Sequence, residues 1–302
     1  MAEPSNKTQR QDWIDLPEEI TASILSRLGA IEILVTAVYV CTTWRRICMD
    51  PRNWLTIDMR DDSLYVKSSS SRYPMDMLCR KAVDLSCGNL VGISVHNFGS
   101  DDLLKHITDS CRGIKRLCFV LSNITTNGLI EAAPKLPLLE ELELSHCNYR
   151  LDIPPFEHTR HANVEVIGRC CPRLKSLKLN KYNTKWFFLG WDGDALAVAE
   201  TMHGLHHLQL FGNKLTSKGL RAILDGCPLL ETLDLRHCWH INLGRDRSGH
   251  FGLELDEELK TRCIDRIKNL RLPHDSKHDY ERLAARKFVD NEFVEESMDW
   301  EF

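Results

Sequence analysis

One six-residue phrase, apolar-x-x-apolar-x-apolar, recurs along this chain and limits what it can fold into. It occurs at Leu90/Ile93/Val95, Ile114/Leu117/Phe119, Leu139/Leu142/Leu144, Leu174/Leu177/Leu179, Leu205/Leu208/Leu210 and Leu230/Leu233/Leu235. Successive starts lie 24, 25, 35, 31 and 25 residues apart. The last half of each phrase alternates with period two, as a short strand with one buried face does. Between phrases, Ile124-Thr125-Thr126-Asn127-Gly128-Leu129 matches Leu215-Thr216-Ser217-Lys218-Gly219-Leu220. Both open an amphipathic helix, continued by Ile130 and by Ile223-Leu224. Cysteine keeps the register: Cys87, Cys111, Cys171 and Cys227 each sit three positions before the first apolar residue. Pro172 and Pro228 follow two of them. Proline lacks a backbone donor and cannot continue a helix, so the pair marks a helix-to-strand corner. Three positions after the last apolar residue come Cys147, Asn213 and Cys238, whose side chains can turn inward and satisfy loop backbone. Phe98, Ser122 and Tyr182 fit that inward position loosely.

One strand-loop-helix unit cannot bury its apolar face alone, whereas stacked units form a continuous core. Three of the five intervals fall in the range of about 20–29 residues typical of leucine-rich repeats, and the two longer ones imply insertions. The pattern resembles the cysteine-containing class of leucine-rich repeats; a run of ordinary βα units in a doubly wound sheet is the competing reading. The resemblance implies an α/β fold, with a short solenoid over residues 81–272. Trp54/Ile57/Met59 forms a weak earlier unit. Residues 60–80, with Ser68 to Ser71, read as a linker or cap. Leu255, Leu259, Cys263 and Ile267 have helical spacing and predict a C-terminal capping helix. Residues 273–302 read as an acidic, disordered tail: Asp275 to Phe302 holds nine Asp/Glu against four Lys/Arg, a net −5.

The sharpest signal is N-terminal. Leu16-Pro17-Glu18-Glu19-Ile20 predicts a helix start, with Asp15 as cap, Pro17 in the first turn and two glutamates facing the helix dipole. Ile20, Ile24 and Leu28, with Leu25 beside them, form an apolar stripe that Gly29 ends. A second helical pattern holds Ile33, Leu34, Ala37, Val38 and Cys41; a third holds Trp44, Ile47 and Cys48 and stops at Asp50-Pro51. Three such short helices carry more apolar surface than they can bury among themselves, which calls for a partner. Leu16, Pro17, Glu19, Ile20, Ile24, Leu25, Leu28, Val40, Cys41, Trp44, Arg45, Pro51 and Trp54 match, in order and spacing, the F-box pattern. Gly29 and Thr42 depart from it, where proline and a basic residue are frequent. Residues 12–59 thus resemble an F-box, and the whole chain resembles the F-box/leucine-rich-repeat proteins, a plant subgroup in particular. That resemblance implies a substrate-recognition subunit of an SCF ubiquitin ligase. The F-box would dock on Skp1, and through it on cullin and a RING protein, while the repeats hold a protein substrate. Skp1 contacts would come from Leu16, Pro17, Ile20, Ile24, Leu25, Leu28, Ile33, Leu34, Val38, Val40, Cys41, Trp44 and Arg45. A repeat scaffold acting without ubiquitin transfer is the alternative.

Composition excludes more than it assigns. Of 302 residues, 43% are hydrophobic and 27% charged, a globular balance. The formal charge of −4 disfavours a general grip on nucleic acid. No run approaches the roughly 18 apolar residues of a membrane span, and the polar stretch from Met1 to Gln11 has no secretory h-region. Twelve cysteines then read as reduced thiols of a nuclear or cytoplasmic protein. No CxxC occurs; His158 and His161 with Cys170-Cys171 make a weak zinc candidate, against ordinary loop histidines. Eight cysteines hold pattern positions, and the other four (Cys48, Cys79, Cys118, Cys170) adjoin no catalytic motif, so a thioester-forming ligase is disfavoured. The expectation is a non-enzyme without cofactor or metal. For substrate contact, the strand positions between apolar residues point to the concave face of an array, and the second insertion is rich in aromatics. The candidates are Glu141, Glu143, Lys178, His207 and Gln209 on strands and Trp186, Phe188 and Trp191 in the insertion, which could equally plug the gap between strands.

Overall fold

A computed structural model describes residues 16–60, 74–147, 162–181, 190–242, 244–245, 251–252 and 257–276. The chain divides into two compact units. The first comprises residues 1–155 and the turn 169–174; the second comprises residues 156–168 and 175–302.

The first unit begins with three short helices, α1 (Glu18–Leu25), α2 (Ala30–Val35) and α3 (Thr42–Cys48), with a 3-10 turn at Ala37–Tyr39 before α3. Pro17 caps α1 rather than occupying its first turn, and Asp15 lies outside the described residues. Gly29 is extended and caps α2; the chain leaves α1 through the Arg27 N–H to Ile24 C=O and Leu28 N–H to Leu25 C=O bonds instead. A second 3-10 turn, Pro51–Trp54, buries Trp54, whose indole N–H donates to the Cys48 carbonyl at 2.8 Å. Strand β1 (Thr56–Met59) follows directly. Helix α4 (Met75–Leu85) lies partly inside the segment expected to be a connector; residues 61–73 lie outside the described residues. Then come β2 (Gly92–His96), α5 (Asp101–Ser110), β3 (Arg116–Val120), α6 (Thr126–Ala132) and β4 (Glu141–Ser145). Strands β1 to β4 pair in chain order, all parallel, with Ile57, Ile93, Leu117 and Leu142 in one register row. Helix α2 packs on α4 and β1, so the N-terminal helices rest on the first repeat and part of their apolar excess is covered within the chain.

The second unit holds most of α7 (Ala162–Cys170), then β5 (Ser176–Asn180), α8 (Gly193–Thr201), β6 (His207–Gln209), α9 (Ser217–Gly226) and β7 (Thr232–Asp234). A short hairpin, β8 (Gly244–Arg245) with β9 (Phe251–Gly252), precedes α10 (Glu257–Arg266) and β10 (Asn269–Arg271). Strands β5, β6, β7 and β10 pair in that order, all parallel. The helix expected as a cap is therefore half of a further repeat. Ile267, Leu270 and Leu272 repeat the apolar phrase, and the chain is held as far as Ser276, whose carbonyl accepts from Arg236 at 2.9 Å. Residues 277–302, most of the proposed tail, lie outside the described residues.

The turn after β2, β3, β4, β6 and β7 repeats in backbone as well as sequence. Two positions past the last apolar residue, Asn97, Leu121, His146, Gly212 and His237 are all left-handed, with φ of 67°, 56°, 55°, 68° and 61°. The next residue fixes the turn from inside. Cys147 Sγ donates to Phe119 C=O at 3.3 Å, Asn213 Nδ2 to Leu179 C=O at 2.5 Å and Cys238 Sγ to Leu210 C=O at 2.8 Å. Each acceptor is the last apolar residue of a preceding phrase. Ser122 is also buried and bonds Phe98 C=O, so it fills the inward slot rather than fitting loosely.

At the opposite corners, Cys111, Cys171 and Cys227 are buried as expected, and Leu136 and Met202 fill the slot in units without cysteine. Cys87 does not: it is exposed, with φ +50°. Helix α4 ends at Leu85 and the fully buried Ser86 takes the corner, its Oγ 2.6 Å from Val83 C=O and 3.6 Å from Cys111 Sγ. The turn is one residue longer, so Cys87 is turned outward.

Candidate docking surfaces

The N-terminal helices sort the predicted contact residues by burial. Leu25, Ile33, Leu34 and Val38 are buried, so they hold α1, α2 and the 3-10 turn together and are not surface contacts. Pro17, Ile20, Val40 and Arg45 are exposed; Leu16, Ile24, Leu28, Cys41 and Trp44 are half-buried. Burying a large apolar side chain is worth about 1.5–3 kcal/mol, so apolar groups left in water on adjoining elements mark a surface that has something to gain by being covered. Ile20 is 50% exposed and Val40 52%. Tyr39, 73% exposed, joins them and was not expected. It sits between two valines, and the outward aim of the middle residue depends on the 3-10 geometry of Ala37–Tyr39, which a continuous helical reading conceals. Helix α3 packs against both α1 and this 3-10 turn, so the exposed apolar groups flank one element. Cys41 caps α3, its sulfur accepting from Trp44 N–H at 3.5 Å. Arg46 ties α3 to α1 through both Glu18 carboxylate oxygens at 2.8 and 2.6 Å; these hydrogen bonds hold the Glu18 carboxyl below its ordinary range.

The outer strand faces carry the second set. In the first unit, register aligns Asp58, Ser94, Cys118 and Glu143 in one row and Thr56, Gly92, Arg116 and Glu141 in the next. Glu141 is exposed; Glu143 is half-buried and accepts from Ser145 Oγ at 2.9 Å. In the second unit the rows are Lys178, Gln209, Asp234 and Arg271, and Ser176, His207, Thr232 and Asn269. His207 Nδ1 is 3.1 Å from Thr232 Oγ1. Asp234 is withdrawn from the face: it is buried and clamped by the buried Arg236 guanidinium at 2.7 Å. Trp191 lies off the strands. It precedes α8, its N–H donates to Lys214 C=O at 2.7 Å, and it adjoins the Asp192 carboxylate that holds Thr216. Trp186 and Phe188 lie outside the described residues.

Buried thiols dominate the cysteine set. Burial pushes Cys79 and Cys171 up to about 12 and Cys147, Cys227 and Cys263 up to about 11, which suits packing and opposes nucleophilic chemistry. Among the described residues no group of three His, Cys, Asp or Glu side chains could hold a metal ion; His158 and His161 lie outside them. No described helix is long and apolar enough to cross a membrane.

Residues 13–60 match the F-box-like family. The F-box protein SKIP19 of Arabidopsis thaliana is 44% identical over 269 residues, covering 89% of this chain and 79% of that one. A protein provisionally named F-box/LRR-repeat protein 21, from the same plant, is 42% identical over 90% of this chain and 85% of that one. This chain is an F-box/leucine-rich-repeat protein of the plant type. Another relative, provisionally named F-box/LRR-repeat protein 23, is 44% identical, but this chain spans only 54% of its length. Membership accounts for the architecture of an F-box followed by α/β repeats. It also gives the coarse role: an F-box protein of this kind is a substrate adaptor, generally within SCF assemblies.

Proposed function

We propose that this F-box/leucine-rich-repeat protein is the substrate-recognition subunit of an SCF ubiquitin ligase, docking on a Skp1-like protein through its N-terminal helices. The carrying observation is the set of exposed apolar residues, Ile20, Tyr39 and Val40, on elements packed against α3. Leu16, Pro17, Ile24, Leu28, Cys41, Trp44 and Arg45 complete the contact. Leu25, Ile33, Leu34 and Val38 support it from beneath. Cullin and the RING protein join through Skp1. The repeats present the outer strand faces as substrate contacts, through Glu141 and Glu143 in the first unit and through Lys178, His207 and Gln209 in the second. The ligase chemistry belongs to the assembly, and this chain's part is to hold and position. The working compartment is the nucleus or cytoplasm, where thiols used singly as packing pieces stay reduced.

The test is reconstitution with a Skp1-like protein. The purified chain is expected to co-elute with it, and changing Leu16 and Pro17 to alanine together with Ile20→Asp should abolish co-elution while the circular dichroism spectrum is retained. Unaltered co-elution of that variant, or none with the wild-type chain, removes the reading.

A further inference from the structure

The outward row of the first unit reads Asp58, Ser94, Cys118 and Glu143. A repeat strand places water-facing polar residues in that row, so Cys118 fills no core slot, and packing does not account for it. It is half-buried, unlike the fully buried Cys111, Cys171, Cys227 and Cys238. Its sulfur lies 3.8 Å from His96 Nε2 on the neighbouring strand. His96 in turn lies within electrostatic reach of Asp58, which pairs with Arg60. A thiol with an imidazole in reach is an arrangement that can generate a nucleophilic sulfur. Among the described residues, the two outward rows of this unit also hold Arg116 on β3 and Glu141 and Glu143 on β4, so acidic and basic groups both adjoin the pair.

We infer that Cys118, with His96 as its proton acceptor, is an oxidant-sensitive thiol on the outer strand face, taking hydroperoxides as its reactant. His96 accepts the thiol proton. The thiolate attacks the hydrogen-bearing oxygen of the hydroperoxide; an S–O bond forms and the O–O bond breaks. Sulfur loses two electrons and the peroxide gains them. The departing alkoxide takes the proton back from His96, leaving Cys118 as a sulfenic acid and releasing an alcohol, or water when the reactant is hydrogen peroxide. Reduction by a cellular thiol reverses the change through a mixed disulfide. The inference stands apart from Skp1 docking, which uses other elements of the chain.

The full chain, reduced and exchanged out of reductant, is pulsed with hydrogen peroxide at neutral pH. Sulfenic acid is trapped with dimedone and read per cysteine by mass spectrometry. Cys118 is expected to label at least about threefold faster than the exposed Cys87 and half-buried Cys170, because only Cys118 has an imidazole to take its proton. His96→Gln should bring Cys118 down to the Cys87 rate while leaving Cys87 unchanged. The pH profile of Cys118 alkylation by iodoacetamide in the wild-type chain, which needs no variant, should have a midpoint below that of Cys87. Equal rates at Cys118 and Cys87, coincident alkylation midpoints, or a folded His96→Gln chain that labels at the wild-type rate would each overturn the inference.

Discussion

Cys87 and Asn97 share a backbone conformation and differ in how well they tolerate it. Both are left-handed, at φ 50° and 67°, a region costing an ordinary L residue about 1–2 kcal/mol and asparagine less. Cys87 is exposed and makes no core contact, so Cys87→Asn should raise stability by about 0.5–1 kcal/mol, seen as a higher urea midpoint at unchanged slope. A lower midpoint would mean that the Cys87 side chain supports the turn. The buried thiols make an opposite kind of prediction. Burial raises Cys79 and Cys171 from 9.0 to about 12, so between those values the unfolded chain has lost a proton that the folded chain keeps. Their stabilisation is complete below pH 9 and declines as pH rises toward 12. Urea midpoints measured from pH 8 to 11 should fall, and less steeply in a Cys79→Ala, Cys171→Ala chain; identical slopes would remove thiol burial as the cause. The corner and inward cysteines were legible from spacing alone. Cys87 was not, because the extra residue that turns it out follows from where α4 ends, which no single spacing records.

Between elements, the recurring Thr-x-x-Gly phrase has a physical explanation. Asp101 accepts from Thr125 N–H at 2.8 Å and Thr125 Oγ1 at 2.5 Å; Asp192 accepts from Thr216 N–H and Oγ1, both at 2.7 Å. Each carboxylate joins the start of one helix to the start of the next, 24 residues on. Gly128 and Gly219 follow because the same carboxylates occupy the space a Cβ would need, at 2.2 and 2.4 Å. Removing one clamp leaves a part-buried N–H and hydroxyl unpaired, so Asp192→Ala should cost about 1–3 kcal/mol. Gly226 is tighter: a Cβ there would meet the Ala199 carbonyl oxygen at 2.2 Å, and backbone cannot swing aside. Gly226→Ala should therefore destabilise by about 1–3 kcal/mol or more, measured by thermal or urea unfolding. Unchanged stability would mean that α8 and α9 are not held this close. The helices and six strands were readable because burial imposes their period. The strand at Asn269–Arg271 carries the same phrase in Ile267, Leu270 and Leu272, but the third long interval, 37 residues from Leu230, hid it behind an apparent cap.

Across the whole molecule, the division of labour was legible because each part has its own sequence signature: an ordered set of apolar, Pro and Trp positions before residue 60, and a repeated phrase after it. Which of the N-terminal apolar residues face outward was not legible. That depends on α2 packing against α4 and β1, contacts between residues far apart in sequence. The same packing means that the F-box helices and the first repeats belong to one unit, so a truncation between them would expose α2 and β1. Substrate choice lies at this scale too. Individual face residues such as Asp234 are already engaged within the chain. The central claim is that one chain joins a ligase through its N-terminal helices and a substrate through its repeats. The most direct measurement captures proteins on the wild-type chain and on the Leu16→Ala, Pro17→Ala, Ile20→Asp chain in cells with the proteasome inhibited, and quantifies ubiquitin on what each holds. The account predicts that both chains retain the same repeat-bound protein, and that it carries ubiquitin chains only with the wild type. Equal ubiquitination on both would contradict it.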